Sequence, residues 1–333
     1  MTDPVGLQFD TEIRTASDSN AIGQAKSLLV KEQLVTIPTE TVYGLAANAF
    51  SKEAVARIFA VKGRPSNNPL IVHVSSVEMA KECVSTWPDV ASSLAEKFWP
   101  GPLSMVLAKA EKIPDIVTAG GKTVAVRCPS HSLMKEIIEL CGFPLAAPSA
   151  NLSNRVSPTR AQHVADQLSG RIPLILDAGA CQIGIESTVL DLTEDIPKIL
   201  RLGIISMTQL QDVLGEVQLS SALKEGEKIK SPGQLQRHYS PRARVILAQE
   251  PWQDSLSKAE KGTHVIARES APDYWEHDTW HEISSSVEGY AKQIYDILNH
   301  CDQAGAETIL IQSLPSDSEW DAVRDRLYRA SKN

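Results

Sequence analysis

The sequence predicts an α/β protein, built around a mixed, twisted sheet with helices and followed by a small second α/β domain. Between about residues 20 and 215, short apolar segments typical of strands alternate with segments of helical periodicity. The strand segments Leu103–Leu107 and Val124–Arg127 follow each other without a long helix between them. This favours a mixed sheet over a purely parallel one. A second, shorter alternation begins at Val245.

The elements of the first region follow from its apolar periodicity. The predicted strands are Leu34–Ile37, Leu70–Val74, Leu103–Leu107, Val124–Arg127, Leu174–Leu176, Thr188–Leu192 and Lys198–Arg201. The predicted helices are Asn20–Lys31, Lys52–Lys62, Val77–Cys83, Ala91–Phe98, Leu133–Leu140, Thr159–Leu168 and Thr208–Leu214.

Residues 216–242 interrupt the alternation with charged and polar residues and few large apolar ones. This composition predicts an interdomain linker between a larger domain, residues 1–215, and a smaller one, residues 243–333. The linker ends in Arg237-His238-Tyr239-Ser240, between two prolines that hold it extended. These side chains are of the kinds that bind ligands, which is unusual for a passive connection.

The smaller domain has its own strands and helices. Its predicted strands are Val245–Ala248, His264–Ala267 and Thr308–Ile311, and its predicted helices are Val287–Asn299 and Glu319–Arg329. Four of the six tryptophans of the chain lie here, which indicates a separate core. We recognise no phosphate loop and no catalytic pair in this region.

The length and the charge of the chain limit the functions that it can have. The 333 residues are sufficient for two domains, and a net charge of −8 argues against a dedicated nucleic-acid binder. Residues 243–333 hold 9 Lys and Arg against 16 Asp and Glu, whereas the rest of the chain holds 24 against 25. The nearly neutral larger domain can therefore accept an anionic ligand with less long-range repulsion.

Cysteine and histidine usage predicts neither disulfides nor a metal site. The cysteines are odd in number, none form a Cys-x-x-Cys pair, and the eight histidines do not stand at metal-ligand spacing. The start of the chain lacks the pattern of a secretory signal, and no apolar run approaches 18 residues. We therefore expect a cytoplasmic protein with reduced thiols and no membrane span.

Two cations stand close together in the run from Lys62 to Pro69. Gly63 and Pro65 end the preceding helix, so Lys62 and Arg64 are presented at a turn before the next strand. A guanidinium, an ammonium and the carboxamides of Asn67 and Asn68 suit a bound polyphosphate. A solvated basic turn at a helix C-terminus is the alternative, because cations are favoured there in any case.

Polar side chains also follow the strand Leu34–Ile37. The segment from Pro38 to Leu45 gathers hydroxyls, a carboxylate and a phenol at a strand end, where α/β sheets present ligand contacts. Gly44 permits a turn there. A purely structural turn is the alternative for this segment.

A third polar segment begins at Pro148-Ser149-Ala150-Asn151. It ends at Ser157, a possible N-cap, with Pro158 suited to the first position of the next helix. Such a helix start offers free backbone N–H groups to an anion. Ser157 can serve as cap, as ligand contact, or as both.

Arginines close two of the predicted strands. Arg127 ends an apolar strand, where burial requires a carboxylate or phosphate partner. A small-molecule carboxylate and an internal Asp or Glu are equal candidates for that partner. Arg201 and the segment from Glu186 to Asp191 supply further polar groups at strand ends.

Together these segments resemble the YrdC-like family, in its long two-domain form, the L-threonylcarbamoyladenylate synthases. The matching segments are Pro38–Leu45, Lys62–Pro65, Asn68–His73, Trp99–Pro102, Val126–Arg127, Pro148–Asn151, Glu186–Thr188, Ser231–Gly233 and Arg237–Pro241. The resemblance is dense over residues 20–242 and looser over residues 243–333. It implies a YrdC-like catalytic domain followed by a small Rossmann-like domain.

The resemblance also implies a nucleotidyltransferase reaction. L-threonine, bicarbonate and ATP would give L-threonylcarbamoyl-AMP and pyrophosphate, with Mg²⁺ accompanying the nucleotide. The product would serve the threonylcarbamoylation of adenosine 37 in tRNA. A downstream tRNA threonylcarbamoyl transferase complex is therefore an implied partner, whereas direct binding of tRNA stays open.

Residue roles follow from the same resemblance. The residues assigned to ATP are Lys62, Arg64, Asn68, Thr123, Ser149, Ser157 and Arg201, with Lys62 and Arg64 as the catalytic pair. The residues assigned to threonine are Thr41, His73, Arg127 and Ser187. His238 and Tyr239 would cover the nucleotide when the linker folds over the site. No covalent nucleophile is needed, because the reaction requires two anions to be held together.

Two other functions compete with this hypothesis. A binding module that acts on RNA without catalysis is disfavoured by the acidity of the chain and the lack of an aromatic-basic stripe. A YrdC-like domain of hydrogenase maturation would be accompanied by zinc-finger parts, which the cysteine spacing here cannot supply.

Overall fold

The computed structural model describes residues 8–220, 229–233, 239–275 and 279–332. Within these residues the chain forms an eleven-stranded mixed sheet and a four-stranded parallel sheet. The predicted mixed α/β fold is therefore confirmed. No helix of the described ranges is both long enough and apolar enough to cross a bilayer.

The larger sheet carries the polar segments singled out above. Its strands are β1 Glu12–Thr15, β2 Val35–Pro38, β3 Tyr43–Asn48, β4 Ile71–His73, β5 Leu103–Ala108, β6 Thr123–Arg127, β7 Leu145–Ala146, β8 Leu174–Asp177, β9 Thr188–Asp191, β10 Lys198–Arg201 and β11 Gln218–Leu219. Their order across the sheet is β1-β8-β2-β3-β7-β4-β6-β5-β9-β10-β11. Parallel and antiparallel neighbours are mixed throughout.

Helices cover both faces of this sheet. They are α1 Ser19–Val30, α2 Lys52–Lys62, α3 Val77–Cys83, α4 Asp89–Phe98, α5 Ser132–Cys141, α6 Ala161–Leu168 and α7 Met207–Leu214. Leu45 and Ala46 are adjacent on β3 but belong to different apolar clusters, because successive strand residues point to opposite faces. Helices α1 and α5 fill one cluster, whereas α2 lies in the other.

Two local predictions in this region are wrong. Gly44, which we expected at a turn, lies within β3, and β2 and β3 form an antiparallel hairpin. Helix α6 begins at Ala161, so Ser157 is not its N-cap and Pro158 is not its first residue. Ser157 instead donates its hydroxyl hydrogen to the Glu186 carboxylate at 2.6 Å.

The smaller sheet has the strand order β12-β15-β13-β14. Its elements are β12 Arg244–Leu247, α8 Trp252–Leu256, β13 His264–Ala267, β14 Trp280–Glu282, α9 Val287–Gln303, β15 Thr308–Ile311, a 3₁₀ turn Ser318–Trp320 and α10 Asp321–Ala330. All of its neighbouring strands are parallel, as in a Rossmann-like unit. Strand β14 and helix α8 were not predicted.

The two sheets are joined by a shared apolar cluster. Val42, Val156 and Ile185 from the larger region pack with residues of α9 and α10. Gly184 lies where the backbone of the larger region packs tightly against α9. A Cβ added there would lie 2.4 Å from the carbonyl oxygen of Ala291 and 2.5 Å from the Cα of Lys292, both on α9. Contact between the regions therefore requires the absence of a side chain at this position.

The close approach at Gly184 predicts the effect of adding a methyl group. Gly184 and Gly179 both have φ near +80°, so alanine at either position strains the backbone by about 1–2 kcal/mol. We expect Gly184→Ala to lose a further ~1–3 kcal/mol, because its methyl group meets the α9 backbone. The matched control is Gly179→Ala, whose added Cβ meets nothing within 4 Å. Equal urea unfolding midpoints for the two variants would contradict this prediction.

Candidate active site

The hairpin and the ends of two parallel strands form one cleft. His73 and Arg127 end β4 and β6 and lie directly opposite each other in the ladder. Residues 39–42, which connect β2 to β3, lie above them. The unfilled space at the cleft, counting the part that is open solvent, is about 520 Å³. The predicted site residues that line it are Thr41, Arg64, His73, Arg127, Ser149, Arg201 and Tyr239.

Arg127 is fixed by three groups at the base of the cleft. Its guanidinium donates to the Thr41 hydroxyl at 3.0 Å and to the Gly101 carbonyl at 3.2 Å. Its NH2 lies 2.7 Å from a carboxylate oxygen of Glu40, and both side chains are buried. Burial raises the pKa of Glu40, but the charge of Arg127, together with hydrogen bonds from Arg127 and from the backbone, more than offsets this and the pKa is lowered. The internal carboxylate considered above is therefore present, while Arg127 still lines the cleft.

Arg64 is buried, and the interpretation of its turn as a solvated basic surface is wrong. Its guanidinium donates to the Asn68 side-chain oxygen at 2.7 Å and to the Pro69 carbonyl at 2.7 Å. Burial lowers the pKa of Arg64 to about 9, so it stays protonated at neutral pH. Asn68 thus acts on the cleft by orienting Arg64.

Lys62 supports the opposite wall. Its ammonium donates to the Ser149 carbonyl at 2.5 Å and also to the Asn151 carbonyl. Burial, and then the nearby charge of Arg64, lower the pKa of Lys62. Lys62 is not among the lining residues, but it fixes the loop that brings Ser149 to the cleft.

Arg201 occupies the far side of the cleft. Its guanidinium donates to the carbonyl and to the hydroxyl of Ser187, each at 3.0 Å. It also donates to the Pro232 carbonyl at 3.4 Å, which places the described part of the predicted linker against the site. Ser187 is itself bonded to Ser104 at 2.8 Å.

A buried carboxylate joins the cleft to the smaller sheet. Glu186 lines the cleft and accepts from Arg326 of α10 at 2.9 Å and from the Tyr295 hydroxyl of α9 at 3.1 Å. Burial raises the pKa of Glu186, but the charges of Arg326 and Arg201, together with hydrogen bonds from Ser157 and Arg326, more than offset this and the pKa is lowered. The Arg326 guanidinium is fully buried and also lies 5.1 Å from the centre of the Tyr239 ring.

Sequence reasoning missed Arg326 and Tyr295. Arg326 lies in a charged helix whose sequence is typical of a solvated surface, and no local signal marks it as buried. Glu186 was noted as a strand-end group, but not as the partner of an arginine 140 residues further along the chain. Only the packing of the two sheets reveals this contact.

The predictions for three further site residues differ in outcome: Tyr239, Thr123 and His238. Tyr239 is 1% exposed, lines the cleft and stacks on Tyr295 with ring centres 5.9 Å apart. Thr123 begins β6, at the end of the strand away from Arg127, and the structure does not bring it into the cleft. His238 lies outside the described residues.

His73 is a neutral group at the cleft. It is buried, and burial followed by the charge of Arg127 lowers its pKa to about 3. The uncharged imidazole can therefore offer hydrogen bonds without adding to the charge of the site.

Charge is unbalanced around this cleft. Among the described residues, five Lys and Arg side chains are buried: Lys62, Arg64, Arg127, Arg201 and Arg326. All five line the cleft or hold a group that lines it, whereas only two buried carboxylates, Glu40 and Glu186, lie there. The third buried carboxylate, Asp191, pairs with Lys230 at 2.7 Å at the opposite end of β9. Buried cations without equal countercharge predict an anionic ligand.

Comparison with known proteins finds relatives over most of the chain. The Sua5/YciO/YrdC family model, described as telomere recombination, matches residues 27–203. A second model, described as the C-terminal domain of threonylcarbamoyl-AMP synthase, matches residues 205–332.

Whole proteins are also similar to this chain. The threonylcarbamoyl-AMP synthase of Pyrococcus abyssi is 40% identical over 92% of this chain and 93% of its own length. That of Bacillus subtilis is 37% identical over 97% and 96%. The crystal structure of P. abyssi Sua5 complexed with L-threonine superposes with a TM-score of 0.89 at 38% identity, covering 96% of this chain and 97% of the other.

The Glu186–Arg326 pair predicts a large cost for breaking it from one side. We expect Arg326→Met to lower the free energy of unfolding by about 3–5 kcal/mol, because it leaves Glu186 buried without its partner. Arg324→Met is the control, since this arginine is one-third exposed and pairs with Asp321 only three residues away. Its loss should cost about 1 kcal/mol or less. Equal urea unfolding curves for the two variants would show that Arg326 contributes no more to the free energy of unfolding than Arg324.

A double-mutant cycle isolates the pair and its pH dependence. Adding Glu186→Gln to Arg326→Met should restore part of the lost stability, because the unpaired charge is removed. The folded pKa of Glu186 lies below its usual value of 4.5, so the coupling should be complete above that pH. It should disappear as pH falls through the folded pKa. A coupling energy that stayed constant through this acid range would refute the assignment.

Proposed function

Because this chain belongs to the Sua5/YrdC family, we propose that it is a threonylcarbamoyl-AMP synthase. In this proposal it condenses L-threonine, bicarbonate and ATP to L-threonylcarbamoyl-AMP and pyrophosphate. The product supplies the threonylcarbamoyl group for adenosine 37 of tRNA. A tRNA threonylcarbamoyl transferase complex is its proposed downstream partner.

The observation that carries this proposal is the excess of buried cations at one cleft. The reaction must hold a polyphosphate and a carboxylate side by side in a space where their charges repel. Arg64, Arg127 and Arg201 line that space, and Glu40 and Glu186 neutralise only part of their charge. Preorganised donors of this kind stabilise developing charge most strongly where water is excluded.

Threonine is proposed to bind at the Arg127 end of the cleft. Its carboxylate would accept hydrogen bonds from Arg127, next to Thr41 and the neutral His73. Ser187, whose hydroxyl accepts a hydrogen bond from Arg201, completes the proposed threonine site. Glu40 holds the guanidinium in place by its ion pair, so it would position Arg127 without contacting the substrate. The P. abyssi relative complexed with L-threonine supports an amino-acid substrate of this class.

ATP is proposed to lie between Arg64 and Arg201. Ser149 lines the same cleft, and Lys62, Asn68 and Ser157 act through the groups they hold. Thr123 stays in the proposed nucleotide set by family resemblance alone. Both buried carboxylates are engaged by arginines, so Mg²⁺ is proposed to enter with the triphosphate as part of the substrate.

The chemistry needs no covalent protein intermediate. The threonine amine and bicarbonate form a carbamate and water. The carbamate oxygen then attacks the α-phosphorus of ATP, the bond to the β-phosphate oxygen breaks, and pyrophosphate leaves. The cations would hold the two anions in line and stabilise the charge on the departing pyrophosphate. Of the catalytic pair that the family resemblance implies, Arg64 is proposed to contact the phosphates, whereas Lys62 is proposed to position the Ser149 loop.

The connection between the sheets is proposed to close the site. Pro232 and Tyr239 line the cleft, so the described part of the connection already contacts it. Together with His238, Tyr239 would exclude water that hydrolyses the mixed anhydride. The proposed division into domains at residues 1–215 and 243–333 places this segment between them.

ATP–pyrophosphate exchange tests the reaction directly. We expect radiolabelled pyrophosphate to enter ATP only when both threonine and bicarbonate are present, because the adenylate forms from their carbamate. Mass spectrometry of the same mixture should detect threonylcarbamoyl-AMP. Exchange that proceeds equally well without threonine would overturn the proposal.

Arg64→Ala should weaken nucleotide binding specifically. We expect a loss of about 1.5–3 kcal/mol in ATP affinity by isothermal titration, the scale of a charged hydrogen bond. Arg57→Ala is the matched control, because Arg57 lies on α2, the helix that precedes Arg64, and lines a different surface pocket. If the ATP titrations of both variants coincided with that of the unsubstituted protein, Arg64 would not be part of the nucleotide site.

A further inference from the structure

Two histidines and a cysteine converge in the smaller sheet. His264 Nδ1 lies 2.9 Å from His281 Nε2, and the two rings stack with centres 5.2 Å apart at 15°. The thiol of Cys301 completes a group whose potential ligand atoms all lie within 4.8 Å of one another. No local pattern indicated this group, because its members are 17 and 20 residues apart along the chain.

The fold explains this convergence. Ile266 on β13 is paired with His281 on β14, so His264, two residues before Ile266, shares the same face of the sheet. Helix α9 packs on that face through Ile294 and Leu298. Cys301 is three residues beyond Leu298, so it meets the sheet on the same side of the helix.

The surroundings of the group suit a ligand that arrives from solvent. His264 and Cys301 are 7% and 0% exposed, whereas His281 is half-buried. His300 is exposed, and its ring meets that of His281 edge-on with centres 5.5 Å apart. The group therefore has a closed, buried side and one side that is open towards solvent.

We propose that His264, His281 and Cys301 bind a divalent transition-metal ion of the Zn²⁺ class. Imidazole nitrogen and thiolate sulfur are the ligands that such ions prefer, and two His with one Cys leave one tetrahedral position. His300 or a water molecule takes that position. On binding, the Cys301 thiol loses its proton to solvent and the sulfur forms the bond to the metal.

The ion would act as a cross-link within the smaller sheet. It ties the C-terminal turn of α9 to β13 and β14. The same helix carries Tyr295, which bonds Glu186, and Asn299, which bonds the Ser157 carbonyl at 3.3 Å. Metal binding would therefore stabilise the helix that supports the cleft from behind. The proposal does not depend on the reaction assigned to the cleft.

Cobalt titration of the full-length, chelator-treated protein tests this site. Co²⁺ bound through a thiolate gives an intense sulfur-to-metal charge-transfer band, which Zn²⁺ should abolish by displacement. We expect one equivalent of Co²⁺ to produce the band. We also expect Zn²⁺ to raise the apparent melting temperature, because it binds only the folded arrangement.

Matched variants separate this site from other thiols. Cys301→Ser should abolish the band, and His281→Asn should weaken cobalt binding at least tenfold. Cys141→Ser, at a half-buried thiol on α5, should leave both measurements unchanged. Because Cys301 lies in a core, near-ultraviolet circular dichroism checks the fold of each variant, and the half-buried His281 provides the test that is independent of that core. Absence of the band in the unsubstituted protein, or its survival in Cys301→Ser, would overturn the proposal.

Discussion

Burial of five cations around one cleft is the constraint on which the rest of this structure depends. Each buried cation requires compensation, which comes either from a buried carboxylate or from neutral oxygen acceptors. Lys62 uses backbone carbonyls, Arg64 uses an asparagine and a carbonyl, and Arg127 uses Glu40. The compensation fixes every side chain in place but leaves the cations in excess, so the same contacts that stabilise the fold prepare the cleft for anions.

The helices of the smaller sheet also supply side chains to the network of buried charges around the cleft. Arg326 inserts from α10 to meet Glu186, while Tyr295 of α9 donates to the same carboxylate. The Tyr239 ring contacts both the Arg326 guanidinium and the Tyr295 ring, and it also lines the cleft. The helices packed on the smaller sheet therefore support the wall of the cleft. Stability and site geometry are coupled through one carboxylate.

Local sequence patterns predicted the bounds of helices and strands well, but they did not predict which side chains are buried or which distant groups they contact. The helix that ends at Lys62 was predicted to the residue, because the glycine after it stops helical propagation. The same pattern could not show that Lys62 and Arg64 are buried, since burial depends on the distant loop that contains Ser149. Ser157 failed as a helix cap for a related reason. Its hydroxyl bonds Glu186, a partner 29 residues further along the chain, and the helix starts later.

The sequence by itself determined the α/β class, most strands and helices, and the residue types that line the cleft, because periodicity and turn chemistry act over a few neighbouring residues. Family resemblance assigned ligand roles to seven residues that line a common cleft in the structure. Tertiary structure alone decided which carboxylate meets Arg326 and which histidines meet Cys301. Those contacts join residues far apart along the chain. Their formation depends on the register of parallel strands and on the docking of α9 and α10, which no local pattern encodes.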